Sequence, residues 1–312
     1  MSLPLLIVNP RSGSRGAAGD LPNVLRRVEE VLGDVVIRYT TERGHARDLA
    51  LEGAREGHSL IIAVGGDGTF SEVANGVLAH DGETGPSLGI IDLGTGGDFR
   101  RSLGIGDGLE KCLEALSSGD TRLIDVGRAS FRNREGEIET HHFINVLSAG
   151  LGGLVDRYIE RMPSFLGGKV GYYLAALGAV ARSKERPLQA RISWEGAARD
   201  AIIPAYVVAI CNGRWFGGGM DVAPMALLSD GRFEVITITA PSKPYLADRV
   251  RSVYTGRHLV EPTVHHFPCT SIELSLADTV AERRFLLDVD GEALGSLPLK
   301  VELLPERLAV RA

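Results

Sequence analysis

Cysteine is scarce: there are three in 312 residues, Cys112, Cys211 and Cys269. They stand far apart and are odd in number, so they form neither a CxxC pair nor a disulfide framework, and a reducing cytoplasm is expected. Long hydrophobic runs are also missing. No uninterrupted apolar stretch approaches the ~18 residues of a membrane-spanning helix. The first ten residues carry no basic segment, and their apolar stretch is too short for a secretory signal. Positive charge is not in excess: the net charge is -6. No basic stripe of the kind nucleic-acid binders carry is found. The pairs His141-His142 and His265-His266 have no Cys or carboxylate at metal-ligand spacing. Neighbours in a strand point to opposite faces, so these histidines are assigned no zinc.

Glycine, by contrast, is abundant: 39 residues, above the roughly 7% of average usage. The glycines cluster at Gly65-Gly66, Gly94 to Gly97 and Gly217 to Gly219. Clustering without a period indicates tight turns or close ligand approach, not a fibrous repeat. The length predicts about two domains.

The first part alternates strand and helix signals. Leu3 to Val8 is an apolar run, and Val24, Leu25, Val28, Val31 and Leu32 follow at helical spacing. Val35 to Tyr39 is β-rich, and Ala46, Leu49, Ala50 and Ala54 form a second helical face. Leu60 to Val64 and Leu88 to Ile91 read as strands covered on both faces, with a helix over Ser71 to Leu78 between them. Repeated strand–helix–strand units predict an α/β N-terminal domain with a parallel sheet. Near residue 122 the character changes. Val207 to Ile210, Phe233 to Ile238, Ile272 to Leu276 and Phe285 to Val289 read as strands of a mostly antiparallel β half. One helix is expected there, over Tyr172 to Arg182. The boundary is placed at 125 to 130, within Ile124-Asp125-Val126-Gly127, giving domains 1–128 and 129–299.

The chemistry-bearing segment is Gly65-Gly66-Asp67-Gly68-Thr69, set between a buried strand and a helix. Ligands of open α/β sheets bind at the carboxyl ends of strands. A helix start offers free N–H groups to anions, and glycine removes the Cβ atoms that would hold a phosphate away. Thr69 offers a hydroxyl or a helix cap. Asp67 fits a phosphate site if Mg²⁺ lies between, or if its carboxylate organises the loop through backbone N–H groups. The plainer reading is a tight strand-to-helix turn. The Walker A pattern is absent, and the glycine spacing misses the dinucleotide fingerprint.

Four ordered segments carry a resemblance: Val8-Asn9-Pro10-Arg11-Ser12-Gly13; Gly65 to Thr69; Leu93-Gly94-Thr95-Gly96-Gly97-Asp98-Phe99-Arg100; and Ala223-Pro224 leading to Asp230-Gly231, with Asp290-Gly291-Glu292. In these the chain resembles the catalytic family of diacylglycerol kinases, sphingosine kinases and bacterial lipid kinases. Gly-Gly-Asp-Gly-Thr alone is shared with NAD kinases and phosphofructokinases.

The resemblance implies an ATP-dependent lipid kinase with an α/β domain, a C-terminal β-sandwich and a cleft between them. Residues 300–312 would return to the first domain. It implies ATP phosphates on Gly65, Gly66, Asp67, Gly68, Thr69 and Thr95, with Asn9 and Thr41 nearby. Glu292 would be the general base, with Asp290 beside it in the catalytic motif. Asp230, with the carbonyls of Leu227 and Arg232, would match a structural Mg²⁺ site. The implied acceptor is a diacylglycerol-like or sphingoid lipid met at a membrane surface, and a homodimer is compatible with the family. Two departures stand out: Gly97 where the family usually has Asn, and Arg232 where it is usually apolar.

Other features have two readings each. Asp230-Gly231 and Asp290-Gly291 also fit hairpin turns. Trp215 to Met220 fits the lining of an acyl pocket or an anchored surface loop. Leu166 to Val180 fits an amphipathic helix at a lipid entrance or a core helix. Arg182, Lys184 and Arg186, interrupted by Glu185, fit a solvated face or a membrane-surface contact. Two functional rivals remain: a soluble-substrate kinase of the NAD kinase type, and a nucleotide-binding regulatory module without catalysis.

Overall fold

The computed structural model describes residues 2–13, 20–82, 85–159 and 168–312. The chain divides into two compact units, Met1–Val126 with Pro305–Ala312, and Gly127–Leu304.

In the first unit, strands β1 (Leu5–Val8), β2 (Val36–Tyr39), β3 (Leu60–Gly65) and β4 (Ser87–Asp92) alternate with helices α1 (Leu21–Leu32), α2 (His45–Arg55) and α3 (Asp67–Leu78). Helices α4 (Asp98–Ser102) and α5 (Leu109–Ser118) follow. The strands pair in parallel in the order β4-β3-β1-β2, and Val310 adds a parallel neighbour to β4 opposite Leu88. Every residue of β1 and β3 is buried, as helices on both faces of a parallel sheet require. Burial of each such Leu, Ile or Val side chain contributes about 1.5–3 kcal/mol. Helix α1 buries Val24 and Val28, and α2 buries Ala46, Leu49, Ala50 and Ala54, a single apolar stripe in each case. Helix α3 lies deeper and comes close to α2, because a Cβ at Gly76 would stand 2.2 Å from the Arg47 carbonyl oxygen. It begins at Asp67 rather than at Ser71. The last three residues of Gly-Gly-Asp-Gly-Thr are therefore the first turn of the helix.

The chain order matters for function. β2 lies on one side of β1 and β3 on the other, so the winding reverses between β1 and β3. That reversal opens a crevice at the carboxyl ends of these strands.

The second unit receives the end of β5 (Thr121–Asn133) and continues with β6 (Ile138–Phe143), β7 (Val146–Gly150), β8 (Arg186–Trp194), β9 (Ala197–Ala205) and β10 (Val207–Cys211). A short hairpin, β11 (Trp215–Phe216) and β12 (Met220–Asp221), precedes β13 (Phe233–Ile238), β14 (Val264–Cys269), β15 (Ser271–Ser275), β16 (Leu286–Val289) and β17 (Glu292–Arg311). One layer runs β14-β13-β10-β7-β16; the other pairs β9, β8 and β15. β17 serves both, pairing with β16 through Glu292 to Ser296 and with β15 through Leu299 to Glu302. The pairings are antiparallel. The core includes Phe131, Phe143, Leu188, Ile192 and Phe233, and the rings of Phe143 and Phe233 stack at 5.4 Å. Strand alternation predicts the antiparallel pairing, and the family resemblance implies the sandwich.

The second unit is more helical than the sequence suggests. Besides the expected helix, α7 (Gly168–Arg182), it holds α6 (Leu151–Ile159), α8 (Lys243–Val253) and α9 (Thr279–Glu282). Gly152 and Gly153 hid α6. They serve close packing instead of breaking the helix: a Cβ at Gly153 would lie 2.7 Å from the backbone of Leu286. Leu166 and Gly167, the start of the expected amphipathic segment, lie outside the described residues. From Ala175 onward α7 packs inward, with Ala176, Ala179 and Val180 against Val155 and Leu246. No helix among the described residues is long and apolar enough to cross a membrane.

Candidate active site

Strand register brings the loops of the first unit to one edge. Val8 pairs with Tyr39 and with Val64, and Gly65 pairs with Asp92. Asn9, Thr41, Gly66 and Thr95 therefore follow the carboxyl ends of β1, β2, β3 and β4. The Asn9 backbone N–H donates to the Val64 carbonyl at 2.9 Å, and its Nδ2 donates to Thr69 Oγ1 at 3.2 Å. Asn9 Oδ1 accepts the Arg11 N–H at 3.0 Å, shaping the turn. Gly66 and Gly94 nearly touch, since a Cβ on Gly94 would stand 2.7 Å from Gly66 Cα. A Cβ on Gly65 would meet Thr69 Oγ1 at 2.4 Å. The glycines therefore let two loops and a hydroxyl converge. The first N–H groups of α3, from Asp67 onward, have no partner within the helix, and the helix dipole favours an anion there.

Asp67 turns its carboxylate to backbone amides of the following loop. Its carboxylate accepts the Phe99 N–H at 2.9 Å and the Asp98 N–H at 3.3 Å, so it organises the 97–99 turn. Loss of water around the carboxyl pushes its pKa up, as does the neighbouring Asp98 carboxylate, against the opposing pull of these N–H donors. Two further carboxylates were not singled out in the sequence. Asp92, at the tip of β4, accepts the Gly94 N–H and Arg100 Nε, both at 2.9 Å. Burial raises its pKa, with Arg100 opposing. Glu72, on α3, accepts the N–H groups of Gly44 at 2.9 Å and Ala46 at 3.1 Å. It thereby ties the Thr41 to Ala46 segment to α3. Thr41 itself is exposed and bonds His45 Nδ1 through its N–H at 3.1 Å. An acid at the end of a buried strand, and one on the helix five residues after Asp67, were the available signals. Gly97, at φ +66°, is left-handed.

In the second unit, Asp290-Gly291 is a two-residue hairpin turn. Both φ values are positive, 50° and 88°, and Val289 pairs with Glu292 across it. The Asp290 carboxylate is buried. It accepts the N–H groups of Ile144 at 2.9 Å and of Asn145 and Val146 at 3.0 Å, so it holds the β6–β7 connection. Glu292, half-buried, opens β17.

At the residues expected to hold a structural cation, a guanidinium stands beside the carboxylates. Arg232 Nε lies 3.0 Å from Asp230 Oδ2 and 3.0 Å from Glu234 Oε1, and Glu234 also bonds His266. The guanidinium thus offsets the charge of both carboxylates. Leu227 is 61% exposed. Among the described residues no group of three or more His, Cys, Asp and Glu side chains is placed to hold a metal.

A cavity of about 90 Å³ runs beneath β10 and β13, between α6, α7 and α8. Phe216 and Met220 line it together with Val155, Ala209, Ile236 and Leu246. The Trp215 to Met220 loop thus contributes apolar wall. The cavity is smaller than the roughly 300–1,000 Å³ of pockets for drug-sized ligands. His258, also on its wall, bonds the Val222 carbonyl at 2.9 Å, and burial lowers its pKa.

Two family models match. Residues 4–129 match the diacylglycerol kinase catalytic domain, and residues 145–312 match the YegS C-terminal NAD kinase beta sandwich-like domain. The chain belongs to the diacylglycerol kinase catalytic family. Among its curated relatives, the diacylglycerol kinase of Bacillus subtilis (strain 168) is 30% identical, over 94% of this chain and 90% of its own. A Yersinia enterocolitica protein named probable lipid kinase YegS-like is 28% identical, over 98% and 96%. A crystal structure of a diacylglycerol kinase from Bacillus anthracis str. Sterne superposes with a TM-score of 0.74 at 27% identity, covering 99% of this chain and 96% of that one. Yeast NADH kinase matches at a TM-score of 0.50 and 14% identity, over 99% of this chain and 82% of its own, which shows a shared fold alone.

Proposed function

We propose that this family member transfers the γ-phosphate of ATP to a hydroxyl of a diacylglycerol-like or sphingoid lipid. The carrying observation is the convergence, at the β1/β3 reversal, of Asn9, Gly65 to Thr69 and the Gly94 to Gly97 turn around the open start of α3. Backbone amides there, with the Thr69 and Thr95 hydroxyls, grip the phosphates. Asn9 holds the Thr69 hydroxyl in place, and Thr41 flanks the nucleotide. Asp67 acts indirectly, by fixing the turn that carries Thr95. Mg²⁺ carried by the triphosphate supplies neutralising charge.

Glu292 takes the proton from the attacking alcohol, and Asp290 sets the hairpin on which Glu292 stands. The apolar cavity beside Phe216 and Met220 takes an acyl chain. A soluble dinucleotide acceptor would leave that apolar wall without a role.

The test is Glu292→Gln, assayed with labelled ATP against a panel of lipid alcohols. Turnover should fall by roughly 10²–10⁴-fold, the usual worth of a general base, while nucleotide binding persists. Unchanged transfer, or transfer by the native chain to NAD and to no lipid, defeats the reading.

A further inference from the structure

The chain is acidic overall, at -6, yet one recess of the second unit is lined by five cations. Arg182, Lys184, Arg186, Arg283 and Arg284 surround a space of about 270 Å³, and no carboxylate lines it. They come from two places far apart in sequence, the end of α7 and the turn after α9, brought together by the fold. Among the described residues Lys184, Arg186, Arg283 and Arg284 enter no ion pair. The interrupting Glu185 is turned aside, its carboxylate accepting the Ala240 N–H. Lys243 Nζ, on the Ala181 carbonyl at 2.5 Å, adds charge at the same helix end. Arg283 also borders a second recess, to which Arg132 and Arg134 contribute with one acid, Glu135.

Like charges held together repel, and the repulsion is relieved by an anion. Arginine forks match phosphate oxygens in geometry. Phe285 and Leu286 also line the recess and bring apolar surface beside the cations. Leu151, at the start of α6, lines both this recess and the small apolar cavity. A phosphate bound here would therefore sit next to the cavity, with apolar surface at hand for a hydrocarbon part. We propose that this recess binds the phosphate of an anionic phospholipid and holds the enzyme on negatively charged bilayers. The purpose rests on the lipid-kinase reading, but the binding can be measured without turnover.

The experiment is co-sedimentation, without ATP, with vesicles of phosphatidylcholine alone or mixed with phosphatidylglycerol. The protein should sediment only with the mixed vesicles and less as salt is raised. Each basic residue near an anionic surface changes partitioning about fivefold. Arg283→Ala with Arg284→Ala should therefore weaken binding roughly 25-fold. Transfer to a short-chain lipid in neutral detergent should stay unchanged, which also shows that the variant is folded. Arg283→Lys with Arg284→Lys, which keeps both charges but loses the forks, should bind more weakly than the native chain and more tightly than the alanine variant. Equal sedimentation of the alanine variant, equal binding to pure phosphatidylcholine, or release by inorganic phosphate at matched concentration overturns the proposal, the last by making this a site for soluble phosphate. Absence of phosphoryl transfer to any lipid would sink the kinase reading and leave the vesicle result standing.

Discussion

Gly97 stands where the resembled family usually has asparagine, and its backbone is of the kind that both residues adopt. At φ +66° and ψ 30° it occupies the left-handed region, which asparagine visits more readily than other residues with a side chain. A Cβ would lie 2.5 Å from Asp92 Oδ2, so the Asp92–Arg100 pair must shift to admit one. Gly97→Asn should fold and lose about 1 kcal/mol, while Gly97→Val should lose about 3 kcal/mol. Urea denaturation measures both, and equal losses would show that the left-handed backbone is not the constraint. At this scale the glycines of the turn between β3 and α3 were legible as a place of close approach, because their lack of a side chain is itself the signal. The targets of Asp67 and Asp290 were not. Asp67 bonds amides 31 and 32 residues away, and Asp290 bonds amides 144 to 146 residues away, and nothing local to either aspartate shows this.

Among elements, the turn into β13 is held by an ion pair on both sides of one arginine. Arg232 bonds both Asp230 and Glu234, so the strand is held by an internal cation. Arg232→Leu should cost about 1.5–3 kcal/mol, the worth of hydrogen bonds to charged groups. Added Mg²⁺ should then raise the melting temperature of the variant but not that of the native chain. A variant that melts as the native chain does, with or without Mg²⁺, would remove the argument. Buried strands such as β1 and β3 were readable from uninterrupted apolar runs. Helix α6 was not, because its glycines are spent on packing against Leu286 and mimic helix breakers. The cationic recess was half legible: Arg182, Lys184 and Arg186 were visible as a group, but Arg283 and Arg284 join them only through tertiary packing.

For the molecule as a whole, acid sensitivity follows from a buried imidazole. Burial lowers the pKa of His258 from its ordinary value of 6.5, with the Val222 carbonyl opposing. The unfolded chain then binds the proton more readily, so stability rises with pH across this window. It is complete above 6.5 and is lost as pH falls through the lower folded value. The melting temperature should drop on acidification below 6.5, and more gently in His258→Gln. Identical slopes in the two proteins would assign the acid sensitivity elsewhere. The two fold classes were legible from the change in periodicity near residue 122, since period and turn chemistry are local. The double duty of β17 was not, because pairing partners are chosen by the assembled sandwich.

The place of Val310 beside Leu88 sets an order of events during synthesis. Residues 305–312 leave the ribosome only after the entire sandwich has emerged. Until then the outer margin of β4 stays open, and Leu308 and Val310, both fully enclosed in the finished protein, have yet to arrive. The part of the enzyme that is translated first is thus the last to be completed, and a nascent chain must keep that raw hydrophobic edge from other polypeptides while it waits.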